Sequence, residues 1–394
     1  MSKNKSLSMT PGAVCLGAAA LLQAGNAFAV DGISLSGVGV KSSGMGGASI
    51  ALPQDSAVAS SNPAGMALIG NRWDAGVQLL RPPIDYQYGS ASDTLRSRDV
   101  APVPEGGFNM QISPALTAGV SLFGVGVGVD YGRPLAPVDG ADKAKSSLEV
   151  AITAPTLTYK IADGNYAGVS VELAYERFFA KGVLAPDGEG GLAPLPSHGT
   201  ASAIGYGARF GYMWLPVPGL SVGLSYATRI EMGKLAGYDR DLLAAGGGRI
   251  DVPAQYGAGL AYKPVPELTF AIDWIHLQHT DTIIGSPQGF GWRDQNIARL
   301  GVAYDLGAQW TVRAGYSRGN SSFGSAVVAQ NVLSALGNAK AVSTGLTYRL
   351  SGGGEVSVNY EYGSNEKIDG SGASAGFNVS ASTQVIGLSY GSRF

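Results

Sequence analysis

Residues 157–175 read LTYKIADGNYAGVSVELAY. A strand that ends near Tyr159 is followed by the tight turn Asp163-Gly164-Asn165, because Asp, Gly and Asn adopt turn conformations easily. From Val169 to Tyr175, apolar residues then alternate with small or polar ones. Successive side chains of a strand point to opposite faces, so this strand has one apolar and one polar face. The stretch therefore predicts an antiparallel hairpin with two different faces.

The same pattern recurs to the end of the chain. Strands end in tyrosines 42 to 53 residues apart: Tyr159, Tyr212, Tyr262, Tyr304, Tyr348 and Tyr390. A repeat of this length holds one pair of antiparallel strands. Longer, less regular segments separate the pairs near residues 89–103, 130–145, 182–198, 236–248, 285–291, 321–338 and 366–376. Seven long loops predict fourteen strands.

The first 29 residues predict export. Lys3 and Lys5 precede an apolar stretch from Gly12 to Leu22, and Ala27-Phe28-Ala29 supplies the small residues of a cleavage site. Residues 1–29 are therefore predicted to be a secretory signal peptide. The only cysteine, Cys15, leaves with this peptide, so we expect no disulfide and no cysteine metal site in the mature protein.

Composition points to a membrane. Charged residues make up 14% of the chain, against about 25% in soluble domains. The mature chain has no run of about 18 apolar residues that would predict a spanning helix. Because a bilayer admits only helices and closed barrels, we predict an all-β, fourteen-stranded antiparallel transmembrane β-barrel over residues 72–394, in the bacterial outer membrane. A soluble β-sandwich is the alternative.

The predicted barrel carries further signals. Its tyrosines would form an aromatic girdle at the periplasmic interface. Phe394, the last residue, is the terminal aromatic through which we expect the barrel-assembly machinery to recognise the chain. The 27 basic and 29 acidic residues form no basic stripe, so nucleic acid is not an expected partner. Outer-membrane lipid is expected around the barrel, and a monomer is predicted, without cofactor or metal.

Residues 30–71 do not alternate and are rich in Gly and Ala. They include Gly44-Met45-Gly46-Gly47-Ala48, with Gly44, Gly46 and Gly47, and the motif Asn62-Pro63-Ala64. A fourteen-stranded lumen is wider than side chains can fill. This N-terminal segment is therefore predicted to be a plug inside the barrel.

These motifs, with Gln54-Asp55-Ser56, Phe290-Gly291-Trp292-Arg293-Asp294-Gln295 and the stretch Trp310–Tyr316, resemble the long-chain fatty-acid transporter (FadL-type) family of outer-membrane channels. The resemblance covers essentially the whole mature chain. It implies a barrel closed by an amino-terminal hatch, with passive uptake of hydrophobic molecules. Long-chain fatty acids are the first expectation for the substrate, and aromatic or aliphatic hydrocarbons are the alternative. A general porin is the more distant alternative, and adhesion or phage binding is an open secondary role.

The third predicted strand alternates valine with Gly124, Gly126 and Gly128. With the valines facing lipid, the glycines would leave the inner wall bare. Glycine in a strand often marks a bulge or a close backbone approach. The resemblance implies a kink here that opens the wall sideways, so these glycines are predicted to line a lateral opening. The alternative is backbone packing against the plug.

Two predicted extracellular loops are unusually apolar. One contains Leu184, Leu192 and Leu195, and the other contains Leu242 and Leu243. Exposed apolar patches often bind ligands, and the resemblance implies that these loops capture substrate. The alternative is that the two loops only pack against each other.

Charged residues on the inward parity are the predicted lumen charges: Arg209, Arg229, Asp273, Arg299 and Arg313, with Arg349 also on this parity. An arginine there could hold a carboxylate. The alternative is that each pairs with Asp273, Glu172, Glu361 or the plug.

An enzyme is not predicted. His276 and His279 would lie on opposite faces of one strand, and Ser221 and Ser389 do not stand at a strand-to-helix elbow.

Overall fold

The computed structural model describes residues 34–88, 94–189, 191–334, 337 and 339–394. The predicted signal peptide, residues 1–29, and the first four residues of the predicted plug lie outside these ranges. Among the described residues, no helix is both long and apolar enough to cross a membrane.

Strands dominate the described chain, as the alternation predicts. They are β1 Arg72–Arg81, β2 Ile84–Tyr88, β3 Thr94–Ser97, β4 Ala101–Gln111, β5 Leu116–Asp130, β6 Lys145–Ala162, β7 Asn165–Lys181, β8 Leu184–Pro186, β9 Leu192–Pro194, β10 Ala201–Val217, β11 Leu220–Ala227, β12 Glu231–Met232, β13 Ala254–Val265, β14 Leu268–Gln278, β15 Gln295–Leu306, β16 Trp310–Gly319, β17 Lys340–Arg349, β18 Gly354–Asp369 and β19 Phe377–Arg393.

Helical structure in the described residues is short. The helix α1 spans Val40–Ser43, and 3₁₀ turns span Val58–Ser60, Pro63–Leu68, Tyr238–Arg240, Ala244–Gly246, Ser325–Val327, Ala329–Asn331 and Gly372–Ser374. All the turns beyond Leu68 lie in the long loops.

The strands close into one antiparallel barrel. β2 continues β1 along β19, and β3 pairs with β2 and leads into β4. In the same way, β12 continues β11 along β10. β8 and β9 form a separate hairpin. The remaining strands follow chain order, and β1 pairs with β19 to close the ring, for example Val77 opposite Leu388. The prediction of a fourteen-stranded antiparallel barrel is confirmed.

The two faces of the strands are those expected from the alternation. On β7, Val171 and Leu173 are 49% and 50% exposed, whereas Ser170 and Glu172 between them are buried. A closed barrel pairs its backbone groups between strands, so a hydrocarbon environment is tolerated on the outer surface. The exposed residues therefore form the lipid-facing belt, and the buried polar ones face the interior.

The N-terminal segment, described from Ser34 to Asn71, lies against inward-facing side chains on opposite walls. The helix α1 contacts β17 and β18, and the turn Pro63–Leu68 contacts β6, β7 and β10. The largest apolar cluster of the described residues includes Leu35 of this segment and extends to the ends of the strands that meet the long loops.

Candidate functional site

Glycine lets the N-terminal segment approach the barrel wall closely. Gly46 has a φ of 66°, and a Cβ added to it would lie 2.7 Å from the Tyr316 backbone nitrogen. At Gly47, with φ 83°, a Cβ would lie 1.8 Å from the Ser36 carbonyl oxygen. Gly44 faces Gly345 of β17, with its added Cβ 2.9 Å from that Cα. The three predicted glycines therefore lie where the backbone of the N-terminal segment closely approaches the barrel wall or another part of the same segment.

Asn62-Pro63-Ala64 anchors the other end of the segment. The Asn62 Oδ1 accepts from the Ala64 amide at 3.1 Å and so caps the 3₁₀ turn. Its Nδ2 donates to the Ile50 carbonyl at 2.8 Å and to the Tyr212 carbonyl of β10 at 3.2 Å. Pro63 begins the turn, where its missing N–H leaves no hydrogen bond unmade. The motif ties the segment to itself and to the wall.

Inward charges of the barrel bind the same segment. The Asp273 Oδ2 accepts from the Ser49 and Ile50 amides at 2.7 and 2.9 Å. Arg299 donates to the Gly47 carbonyl at 3.1 Å. Arg313 donates to Gln54 Oε1 at 3.1 Å and to Thr347 Oγ1 at 2.6 Å. Three of the predicted lumen charges thus face inward and hold the segment.

An ion network also holds the segment at the periplasmic end of the barrel. Lys41 of α1 pairs with Glu355 at the start of β18. Arg72 at the start of β1 lies 2.6 Å from Glu355 and also pairs with Asp74. Asp74 accepts from the Ser56 amide at 2.8 Å. Charges from two strands and the segment are therefore locked together beside the short turns.

The other predicted arginines also have acidic partners. Arg209 is buried and its Nε lies 2.8 Å from Glu172 Oε1. Arg349 pairs with Asp305 at 3.1 Å near the periplasmic end. The prediction that Arg229 faces the lumen from a strand is wrong, because β11 ends at Ala227 and Arg229 lies in the following turn. Its half-exposed side chain contacts Glu231 and Asp251 there.

A cavity of about 130 Å³ lies among the long loops at the extracellular end. We call it the upper cavity. Its wall carries no charged side chain among the described residues and consists of Leu135, Ser146, Ser147, Leu148, Phe178, Ala180, Val183, Leu184, Leu242, Ile250, Ile284, Phe290, Trp292, Ala329, Gln330, Val332, Leu333 and Ser334.

Two of the five predicted loop leucines, Leu184 and Leu242, line this cavity. Leu243 points into the apolar cluster and is 1% exposed, whereas Leu192 on β9 is 46% exposed. Leu195 lies next to the β8–β9 hairpin and donates its amide to the Val183 carbonyl at 2.9 Å. Neither Leu192 nor Leu195 belongs to the lining.

Sequence reasoning missed the opposite wall of the upper cavity. Phe290, Trp292, Val332 and Leu333 come from two loops recognised as long but not as apolar. The Trp292 indole donates to Asn331 Oδ1 at 2.7 Å, which fixes the ring. The apolar content of these loops was the signal available in the sequence.

A second cavity, of about 80 Å³, lies deeper in the barrel, and we call it the lumen cavity. The N-terminal segment lines one side of it with Leu35 and Ile50. Phe123 and Val125 of β5 and the Glu172–Arg209 pair also line it.

The predicted orientation of the glycine stretch on β5 is wrong. Ser121 donates its hydroxyl to the Ser56 carbonyl of the N-terminal segment at 2.6 Å, so odd-numbered residues point inward. Phe123 and Val125 share this parity and line the lumen cavity. Gly124, Gly126 and Gly128 therefore lie on the outward parity, because β5 keeps a continuous register with β6.

Pairing between β4 and β5 ends part-way up the wall. In the described parts of both strands, the pairing runs from Gln111–Thr117 to Gly106–Leu122 and goes no further. A Cβ added to Gly124 on the outward parity would meet the Val103 Cγ1 of β4 at 3.4 Å. Val103 shares the inward parity of Asn109, which binds the Met66 carbonyl. The part of β5 after Leu122, called upper β5, is thus displaced toward the barrel interior relative to β4.

This geometry agrees with a comparison of the sequence with known families. The profile described as outer membrane protein transport protein (OMPP1/FadL/TodX) matches residues 16–259, more than half of the chain. The chain belongs to this family. It is accordingly an outer-membrane channel for hydrophobic compounds, which confirms the predicted family and location.

Solved structures of such channels share the fold. The P. putida toluene transporter TodX has a TM-score of 0.72 and 18% identity, over 92% of this chain and 99% of that chain. A Pseudomonas aeruginosa FadL homologue has a TM-score of 0.70 and 17% identity, over 92% and 100%. The Ralstonia pickettii toluene transporter TbuX has a TM-score of 0.66 and 17% identity, over 91% and 99%. No protein with a curated description matches the sequence.

Proposed function

We propose that the channel takes up small, neutral, hydrophobic molecules passively, capturing them in the upper cavity and releasing them sideways between β4 and β5. The single observation that carries this proposal is the uncharged, mostly apolar upper cavity at the extracellular mouth. An apolar solute gains free energy on leaving water for such a wall.

The size of the upper cavity favours a small aromatic hydrocarbon. Its volume is about 130 Å³, and an apolar engineered cavity of about 150 Å³ stays dry and binds benzene. Phe178, Phe290 and Trp292 offer aromatic edges and faces to such a ring. A long-chain fatty acid would have to leave most of its chain outside this cavity.

The charges of the interior support the same choice over a fatty acid. A buried carboxylate needs a positive or hydrogen-bonding partner, and the described residues that line the upper cavity include no cationic side chain. Deeper in the barrel, Arg209 is paired with Glu172, and Arg299 and Arg313 bind the N-terminal segment. A fatty acid would therefore have to displace one of these contacts.

Two features support exit through the wall: the N-terminal segment is tied to the periplasmic end of the barrel, and upper β5 is not paired with β4. The network of Lys41, Arg72 and Glu355 ties the N-terminal segment to the periplasmic end, so the segment serves as the plug. Upper β5 lacks pairing with β4, and Pro102 and Pro104 of β4 cannot donate hydrogen bonds. A solute leaving here enters lipid without crossing water.

The test is uptake by cells that lack other hydrophobic channels, with radiolabelled toluene, oleate and a small sugar supplied separately. The matched variants are Leu242→Ser, in the lining, and Leu192→Ser, outside it. We expect toluene uptake to fall several-fold in Leu242→Ser and to stay at the wild-type rate in Leu192→Ser, because only the first places a hydroxyl in the cavity wall.

Three results would contradict the proposal in different ways. Faster entry of the sugar alone would indicate a porin. Faster entry of oleate alone would restore the fatty-acid substrate and make a lumen arginine the carboxylate site. Equal toluene uptake in Leu242→Ser and Leu192→Ser would show that toluene does not pass through the upper cavity.

A further inference from the structure

Glu176 of β7 carries a buried carboxyl group without a hydrogen-bond partner among the described residues. The residue is fully buried, and no described group donates to Oε1 or Oε2. Most buried polar groups in proteins have a partner, because the group has given up its bonds to water. An acceptor left in this state calls for an explanation.

The position of Glu176 links it to the route proposed above. On the same inward face of β7, Glu172 lines the lumen cavity, whereas Phe178 lines the upper cavity. A strand rises about 3.3 Å per residue, so Glu176 lies about 7 Å from the level of Phe178 and about 13 Å from that of Glu172. Along β7, Glu176 therefore lies at a height between the residues that line the two cavities, and it belongs to neither lining.

The side chains around this position are apolar. Val150 of β6 and Ala203 of β10 are the register partners of Glu176, and both are buried. Two residues along β10 from Ala203, the Met232 sulfur lies over Gly205, 2.3 Å from where a Cβ would be. The strand neighbours of Glu176 on this face are thus apolar.

The charged groups near Glu176 are already engaged. Asp251 acts electrostatically on Glu176, but it accepts from the Met232 amide at 2.9 Å and pairs with Arg229 at 3.6 Å. Arg229 also donates to the Asp281 carbonyl at 2.8 Å. Asp251 and Arg229 are therefore engaged with each other and with other groups, and Glu176 keeps both oxygens unpaired within the described part of the chain.

We infer that Glu176 is a specificity-determining residue of the passage, which accepts a hydrogen bond from the hydroxyl group of an aromatic substrate in transit. The inference rests on the proposed route. A phenolic hydroxyl loses its bonds to water when it enters an apolar passage, and Glu176 restores one of them. Toluene has no hydroxyl and gains nothing there, so the residue favours phenols over hydrocarbons of the same size.

The experiment compares uptake of p-cresol and toluene, each rate corrected for cells without the channel. Glu176→Leu removes the acceptor at similar size, Glu176→Gln keeps one acceptor oxygen, and Glu189→Leu changes an exposed loop glutamate as a control. We expect the p-cresol to toluene ratio to fall about tenfold in Glu176→Leu, the effect of one hydrogen bond. It should stay within about twofold of wild type in the other two variants.

The outcomes separate this inference from the proposed function. If the wild-type channel speeds neither solute, the route fails and the role of Glu176 fails with it. If toluene uptake is normal and the ratio is unchanged in Glu176→Leu, only the role of Glu176 is refuted.

A spectroscopic measurement covers the case in which Glu176→Leu does not assemble. The carboxyl infrared band lost in Glu176→Gln should shift in the purified wild-type channel when p-cresol is added, and not when toluene is added. A band that p-cresol leaves unmoved overturns the inference.

Discussion

Removing the Asp273 carboxylate should loosen the N-terminal segment from the barrel wall. Its Oδ2 accepts from two successive amides, those of Ser49 and Ile50, at 2.7 and 2.9 Å in a site that is almost fully buried. Hydrogen bonds to a charged group contribute about 1.5–3 kcal/mol each. Asp273→Ala removes both and leaves two amides without an acceptor, so we expect a loss of about 4 kcal/mol in the docking of the segment.

A loss of this size changes the docked-to-undocked ratio about a thousandfold, at about 1.4 kcal/mol per factor of ten. A cysteine reporter reads this ratio directly. The only native cysteine, Cys15, lies in the predicted signal peptide, and Ala59 of the segment is fully buried beside Met66. In an Ala59→Cys background, the maleimide labelling rate of the folded barrel is proportional to the undocked fraction.

We expect labelling at least a hundredfold faster in Asp273→Ala than in the Ala59→Cys parent. Asp305→Ala is the matched control, because that acid bonds to Thr311 and Arg349 in the barrel. It should label at the parent rate. Labelling of Asp273→Ala within threefold of the parent would refute the reasoning that this carboxylate holds the segment.

Three further predictions follow from local geometry. Burial lowers the pKa of His279, in the loop after β14, to about 4; since this lies below the unfolded value of about 6.5, the neutral ring stabilises the folded loop fully above pH 6.5. This stabilisation is lost as the pH falls toward 4, by about 3 kcal/mol at most. The hydrogen-exchange protection of residues 279–292, taken relative to the intrinsic exchange rate at each pH, should therefore fall over this range, and His279→Gln should abolish the dependence. Gly46→Ala places a Cβ 2.7 Å from the Tyr316 nitrogen at a φ of 66°, and it should lower the free energy of unfolding by more than about 2 kcal/mol. Gly352→Ala, where no atom lies within 4 Å of the added Cβ, should leave the free energy of unfolding almost unchanged. Urea titration of both variants in lipid vesicles measures this quantity, and equal values for Gly46→Ala and Gly352→Ala would contradict the prediction. Replacing Pro102 and Pro104 of β4 together by valine supplies two backbone donors beside the unpaired part of β5; toluene uptake should fall several-fold, and uptake at the wild-type rate would argue against a lateral exit here.

Local alternation was enough to predict the strands and most of their faces. Val169, Val171, Leu173 and Tyr175 point to the outer surface as predicted, because the two-residue period of a strand follows from covalent geometry alone. The same reasoning failed on β5, where valines and glycines alternate without polar residues. Both faces of such a strand are apolar or bare, so the pattern does not say which one faces lipid.

The candidate site was only partly predictable for a related reason. Leu242 and Leu243 are adjacent and equally apolar, yet one lines the upper cavity and the other is buried in the cluster beside it. Phe290 and Leu333 both line that cavity although they belong to different loops. Their approach depends on how the loops fold over the closed barrel, which is a matter of long-range packing.

The sequence by itself determined that this chain is an exported barrel of fourteen strands with a glycine-rich segment before it, because period, turn residues and segment composition are properties of neighbouring residues. Only the tertiary structure decided that Asp273 and Arg299 hold that segment, that β5 leaves β4 part-way up the wall, and that Glu176 is buried without a hydrogen-bond partner among the described residues. These features join residues far apart in the chain. Their distances exist only once the barrel has closed.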